Sequence, residues 1–307
     1  MRSRALPFCM VLLLGGCELE EIAVVEVENV VIAEVYVDLS SDPADNIARA
    51  FLHRTVGLEG DQLDELIDAV VTVSRADGLM FTLTPADVDR CLESSPELEP
   101  GACFIAEAEV AALSPGDLIE VRVDLPDGGV IEGAARLPGA FELNALPATC
   151  WLPPNTLMEV KWSRAPSAWA YVNETSIRGL PEALAGEGIF LDDDPLYLLG
   201  LSISDTDTSI TFPSEFGVFN RLDLEQDVAV RLQQGLPAEV TAEVTITAVD
   251  RNYVNWARGG QFNPSGQVRV PSLRGNGSGV FAATVGRRFI VISTSTPDIG
   301  TPMCPVG

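Results

Sequence analysis

The sequence predicts an all-β protein, made of two β-sandwich-like domains behind an N-terminal export signal. Three observations carry that expectation. Apolar residues recur with a period of two in several short runs, which is the pattern of half-buried strands. Gly, Pro and Asp turn signals separate those runs. No long amphipathic helix and no repeat of fixed period interrupts them. With 307 residues, 47% apolar and 21% charged, the chain can build a sizeable core and has the length of about two domains.

Residues 1–16 read as a signal peptide. MRSRALPFCMVLLLGGC places Arg2 and Arg4 before an apolar run over residues 10–14, too short to span a bilayer as a stable helix. Gly15 and Gly16 let an extended chain enter a peptidase site, and LGGC resembles the lipobox of bacterial lipoproteins. That resemblance implies cleavage before Cys17 and a lipid on its thiol. Residues 17–30 then form an acidic tether leading into the first strand, with Glu18, Glu20 and Glu21 similar to short export signals of surface lipoproteins.

The first domain is expected over residues 31–138. In VIAEVYVDL, Val31, Ala33, Val35, Val37 and Leu39 take one face, and Ile32, Glu34, Tyr36 and Asp38 the other. The segments 69–75 and 79–84 flank Asp77-Gly78, and 118–125 and 130–137 flank Asp127-Gly128-Gly129. Each reads as a hairpin. Helices are expected only at 61–68 and 84–92, the second with Thr84-Pro85 as cap and first-turn residue.

Pro147, Pro153 and Pro154 mark 139–154 as a linker, and the second β domain is expected over 155–293, with strands at 201–203, 240–249 and 289–293. Its opening, EVKWSRAPSAWAYV, resembles that of fibronectin type III modules, with Trp162 and Tyr171 in the positions of the early-strand tryptophan and the next strand's tyrosine. AVDRNYVNW is similar to a late strand of that fold, and the interval between the two implies inserted loops. Residues 294–307 form a Pro-rich tail.

Six cysteines are present. Cys9 leaves with the signal and Cys17 is consumed by lipid, leaving Cys91, Cys103, Cys150 and Cys304 for an oxidising compartment. Three pairings are open. Cys91 with Cys103 closes a short local loop, and Cys150 with Cys304 fastens the C-terminus to the second domain; this is the favoured pair of bonds.

Charge excludes one class of partner. With 45 acidic against 19 basic side chains and a net charge of −26, nucleic acid is not an expected ligand, and anionic lipid would repel the protein's surface. Acyl chains must therefore supply membrane attachment. Catalytic machinery is sparse as well. His53 is the single histidine and is expected at a core edge or in solvent. No G-x-S-x-G, H-E-x-x-H or C-x-x-C motif occurs, so no catalytic residue is assigned.

Asp205 and Asp207 in DTDTS, and the triplet Asp192, Asp193 and Asp194, are candidate metal ligands. DTDTS lacks the central glycine and distal glutamate of a calcium loop, and the three adjacent carboxylates of 192–194 repel one another, so solvated turns are expected for both and calcium is the alternative. RGNGSGVF has no following Lys-Ser/Thr, and reads as a tight bend or bulge rather than a phosphate loop. Trp169, Tyr171, Tyr253, Asn255, Trp256 and Arg258 fall in two segments, 167–171 and 253–262, that read as loop-rich. They are the candidate ligand-binding residues, because rigid aromatics on loops supply contact area at little entropic cost.

The lipobox, VVIAEVYVD, AVVTVSRADGLMFTLT, LSPGDLIEVRVDLPDG, the KWSRAP module and NYVNWARGGQF with RGNGSGVFAA occur in this order over nearly the whole mature chain. Together they resemble the bacterial outer-membrane lipoprotein family called domain of unknown function 4249. That resemblance implies an outer-membrane or surface lipoprotein, often encoded near TonB-dependent transporters, without assigned activity. The expected function is therefore a non-enzymatic envelope lipoprotein that binds a transporter, protein or glycan partner. A secreted hydrolase dependent on carboxylates or calcium, and a structural envelope protein, are the alternatives.

Overall fold

The computed structural model describes residues 29–55, 66–92, 101–202, 204–214, 226–258 and 269–306. The signal peptide, Cys17, most of the acidic tether, residues 61–65 of the first expected helix and residues 259–262 of the second aromatic segment lie outside the described residues. The chain is mostly β, with several sheets in a sandwich-like arrangement.

β1 (Val31–Leu39) alternates between buried and half-buried positions along its whole length, as its period of two requires. β2 (Ile47–Arg54) returns antiparallel to it after a short turn, in which the Asp42 carboxylate accepts from the Ala44 amide at 3.0 Å. β3 (Val70–Arg75) and β4 (Met80–Thr82) form the hairpin expected at Asp77-Gly78. Gly78 takes the left-handed conformation there, with φ of 98°.

The expected helix at 84–92 is not formed. β5 (Thr84–Ala86) is a strand, followed by a single 3-10 turn, Val88–Arg90. β5 lies at the edge of its sheet, where Pro85 is tolerated because an outward position needs no amide donor. β6 (Ala102–Ala106) pairs it to β2. β7 (Leu118–Asp124) and β8 (Val130–Arg136) make the second expected hairpin.

β9 (Thr149–Leu152), β10 (Met158–Lys161), β11 (Ala170–Arg178), α1 (Leu180–Ala185), β12 (Leu196–Leu201), β13 (Ser209–Phe212) and α2 (Gln226–Leu232) follow. The strand expected at 201–203 is therefore β12, which ends where that expectation began. β14 (Val240–Val249) has the expected bounds. α3 (Arg251–Arg258) replaces the late strand expected in this region. The backbone turns helical because Asp250 caps the helix, its carboxylate accepting from the Tyr253 amide at 2.9 Å. β15 (Arg274–Gly275) and β16 (Gly277–Ser293) complete the chain.

β16 is the spine of the fold. It runs parallel to β1, with Val31 opposite Gly277 and Leu39 opposite Val285, and antiparallel to β14. The nine-stranded sheet thus reads β12-β11-β14-β16-β1-β2-β6-β5, with β9 also paired to β16. A five-stranded sheet, β15-β8-β7-β3-β4, lies across its inner face, and β10 and β13 form a small third sheet. Strands from 31–138 and 155–293 share the main sheet, and the expected linker supplies β9.

Inward residues of both large sheets, among them Val35, Val37, Val73, Val121 and Phe281, form one buried cluster. Each such side chain contributes about 1.5–3 kcal/mol relative to exposure. Trp162 joins this core as expected. The two disulfides are Cys91–Cys103 and Cys150–Cys304, the favoured pairing. Among the described residues no helix is long and apolar enough to cross a membrane.

Candidate functional site

Because side chains alternate across a strand, burying one face of β1 leaves Glu34, Tyr36 and Asp38 on the outer face of the main sheet. They form the floor of a groove of about 990 Å³, which continues over Arg49 of β2, Thr284 and Gly286 of β16, and Thr245 and Thr247 of β14. Gly286 pairs with Thr247, and the lack of a side chain there leaves the middle of the floor low.

α3 closes one end. Its Val254 is buried against Ala170, Val172, Leu201 and Val249, a small apolar cluster on the outer face. Asn252 pins the helix from its polar side, donating to the carbonyls of Ala134 and Phe281 at 2.8 Å each. Tyr253 and Trp256 are thereby held at the groove wall. The capping Asp250 is only 4% exposed, and burial pushes its carboxyl up to about 7 against the opposing effect of the amide hydrogen bonds it accepts.

Several charged side chains of the groove are tied to one another. Asp38 Oδ2 lies 2.8 Å from Arg49 Nη2, and its Oδ1 accepts from the Thr284 hydroxyl at 2.8 Å. Glu34 lies 3.6 Å from Arg269 Nη1 and 3.9 Å from His53 Nε2. The Arg269 guanidinium sits over the Trp256 ring at 4.7 Å, a cation–π contact that orients both. Tyr36 donates to Glu34 at 3.4 Å and meets Tyr253 edge-on, ring centres 6.3 Å apart. Burial, then the neighbouring Glu34, raises the Tyr36 phenol well above its ordinary value, so it remains a protonated donor.

Two of the expected binding residues, Tyr253 and Trp256, therefore meet at this groove. Asn255 and Arg258 lie on the same helix but do not line it, and all four belong to α3 rather than to a loop. Trp169 is 49% exposed, away from the groove, with the Arg251 guanidinium 5.1 Å above its ring. Tyr171 is not a surface residue. It is buried edge-on to Trp162 and Phe141, and its hydroxyl accepts from the Ala165 amide at 2.8 Å. Its place near the start of β11 sets its direction by strand parity, facing the core.

The aspartate candidates stay apart. Asp205 pairs with Arg164, Asp194 accepts from the Gly179 amide at 2.9 Å, and Asp192, Asp193 and Asp207 are exposed. Among the described residues no group of three or more His, Cys, Asp or Glu is placed to hold a metal ion. His53 is half-buried in the groove wall, stacked on Phe51 at 5.4 Å.

Sequence reading missed Glu34, Tyr36, Asp38, Arg49 and Arg269. A signal was present in β1, whose outward positions carry three polar groups at successive alternate residues. Glu34 and Asp38 do not resemble a glycosidase pair. Four residues of strand separate their Cα atoms by roughly 13 Å, and each carboxylate turns to its own arginine, whereas hydrolysis requires carboxyl groups about 5–9.5 Å apart.

No protein-family model matches the chain, and no curated protein matches it. Among solved structures, the fibronectin(III)-like modules of Clostridium thermocellum CbhA align with 10% identity over 87% of this chain and 94% of that one, with a TM-score of 0.20. At that score the likeness carries no argument about what this chain does.

Proposed function

We propose that the chain is a non-enzymatic cell-envelope lipoprotein, anchored in an outer membrane through lipid on Cys17, that holds a partner in the groove on its main sheet. The observation that carries this reading is the groove itself. It is wide, hydrogen-bonding and walled by the aromatic residues Tyr253 and Trp256, and its floor carboxylates Asp38 and Glu34 are held in ion pairs instead of being set out as an acid and a base. The lipobox-like LGGC and the order of motifs, which resembles that of domain of unknown function 4249, support the envelope setting. An anchored binding module of this kind would serve a transporter, another protein or a glycan.

Photo-crosslinking in the native host tests both halves. A photoreactive residue at Ala257, in the groove wall, should yield adducts that the same residue at the exposed Met80 does not. Cys17→Ser should release the chain from the membrane fraction. Equal adducts at the two positions, or wild-type chain in the soluble fraction, would count against the reading.

A further inference from the structure

We infer that the groove takes an uncharged oligosaccharide, an assignment of ligand class that rests on the binding function proposed above. Four properties of the groove lead there. First, it is electrically neutralised within an acidic protein. Against a net charge of −26, three of the four groove carboxylates, Asp38, Glu34 and Asp45, each face an arginine: Arg49 at 2.8 Å, Arg269 at 3.6 Å and Arg288 at 2.8 Å; the fourth is Glu174. Arg54 also lines the groove, and with Glu174 as the remaining lining carboxylate the two leave no excess of either charge. An anionic ligand would meet a repelling protein with no excess of cations in the groove to receive it. A cationic one would find better sites on the surrounding acidic surface.

Second, the lining is rich in groups that both donate and accept. The hydroxyls of Thr245 and Thr247 stand two residues apart on β14, and that of Thr284 stands on the adjacent β16, where it is opposite Val249. Polyhydroxylated ligands match such a surface, and an apolar ligand would leave it unsatisfied. Third, aromatic rings wall one end, where Tyr253 and Trp256 can pack on the apolar flank of a sugar ring. Fourth, about 990 Å³ lies at the top of the roughly 300–1,000 Å³ range of small-ligand sites, which suits several sugar units better than one. The low floor at Gly286 is what lets a chain lie across the sheet. A Cβ built there meets only Thr245, Thr247 and Leu39 atoms at 3.5–3.7 Å, so a larger side chain is accommodated by filling the groove rather than by disturbing the strand.

The test is calorimetric and fluorescence titration of the full mature chain in detergent. The neutral probes are cellohexaose, maltohexaose and mannohexaose; the charged probes are hexagalacturonate and a chitosan hexamer. At least one neutral hexamer should bind, with a tryptophan fluorescence change that Trp256→Ala removes, and the charged hexamers should bind at least about tenfold more weakly. Gly286→Leu should weaken the neutral hexamer by about tenfold or more at an unchanged melting temperature. Thr247→Val, which replaces the hydroxyl by a methyl group of similar size, should weaken it by about threefold to tenfold, and decides the matter if Gly286→Leu fails to fold. No neutral binding at millimolar concentration, preference for a charged hexamer, or affinity indifferent to both groove variants would overturn the assignment. If the sugars fail while adducts from Ala257 persist in cells, the ligand class alone falls; if those adducts are also missing, the binding role of the groove falls with it.

Discussion

The Thr284 hydroxyl donates to the Asp38 carboxylate at 2.8 Å, joining residues 246 positions apart across the parallel seam between β1 and β16. Asp38 also receives Arg49 from the other side, so one half-exposed carboxylate couples three neighbouring strands. Asp38→Ala should lower stability by about 1–2 kcal/mol, removing the 2.8 Å contact to Arg49 and the acceptor of Thr284. Asp38→Asn should cost about half as much, since the amide oxygen still accepts. Urea unfolding of the two variants checks the order, and equal losses would contradict it.

Capping by a buried carboxyl makes stability depend on pH in an unusual direction. Asp250 titrates near 7 when folded and near 3.8 as an ordinary aspartate. Between those values the folded state holds the proton and the unfolded state does not, so this group's contribution falls as pH rises from about 4 to about 7 and is level above. The difference corresponds to roughly 4 kcal/mol at most. Asp250→Asn keeps the cap and removes the titration, so it should stabilise the protein at pH 8 relative to wild type and not at pH 4. Unfolding curves at both pH values decide this; a pH-independent difference between the proteins would contradict it.

The two disulfides should differ in worth. Cys150–Cys304 closes 154 residues of chain and Cys91–Cys103 only 12. Restriction of the unfolded chain then gives roughly 5 kcal/mol for the first and roughly 3 kcal/mol for the second. Paired Cys→Ser variants, compared by denaturant unfolding, should show the larger loss at Cys150 and Cys304.

Gly279 takes φ of 135° where β16 passes β1, and a Cβ there would collide with the Ala33 carbonyl oxygen. Gly279→Ala should therefore destabilise by about 3 kcal/mol or more, through backbone strain and displacement of the parallel pair. Gly128→Ala, also at positive φ but with open space around it, should cost about 1 kcal/mol. Similar melting temperatures for the two variants would contradict this.

Trp256 and Trp162 should separate by role. Trp162→Ala opens a cavity beside Tyr171 and should cost about 3–5 kcal/mol, whereas half-buried Trp256 should cost about 1–2 kcal/mol on truncation. Thermal unfolding of both alanine variants checks the ranking.

Strands announce themselves locally, because a period of two needs only a handful of neighbours to be visible. Val31–Leu39 and Val240–Val249, and the hairpins at Asp77-Gly78 and Asp127-Gly128, were legible for this reason. Cysteine parity and loop length likewise pointed to the observed disulfide pairs. Tertiary structure alone decided the rest. α3 has eight residues, too few to display a helical period, and forms where Asp250 can cap it and the outer face can bury Val254. Tyr171 and Trp169 are two residues apart and would share a face in one strand; β11 begins at Ala170, which buries Tyr171 and leaves Trp169 outside the strand. The parallel pairing of β1 with β16 is set by burial over more than two hundred intervening residues, and no local pattern encodes it. The groove follows from that pairing: the outward residues of β1 were readable as polar, but that Arg49, Thr284, Trp256 and Arg269 would meet them depended on which strands became neighbours.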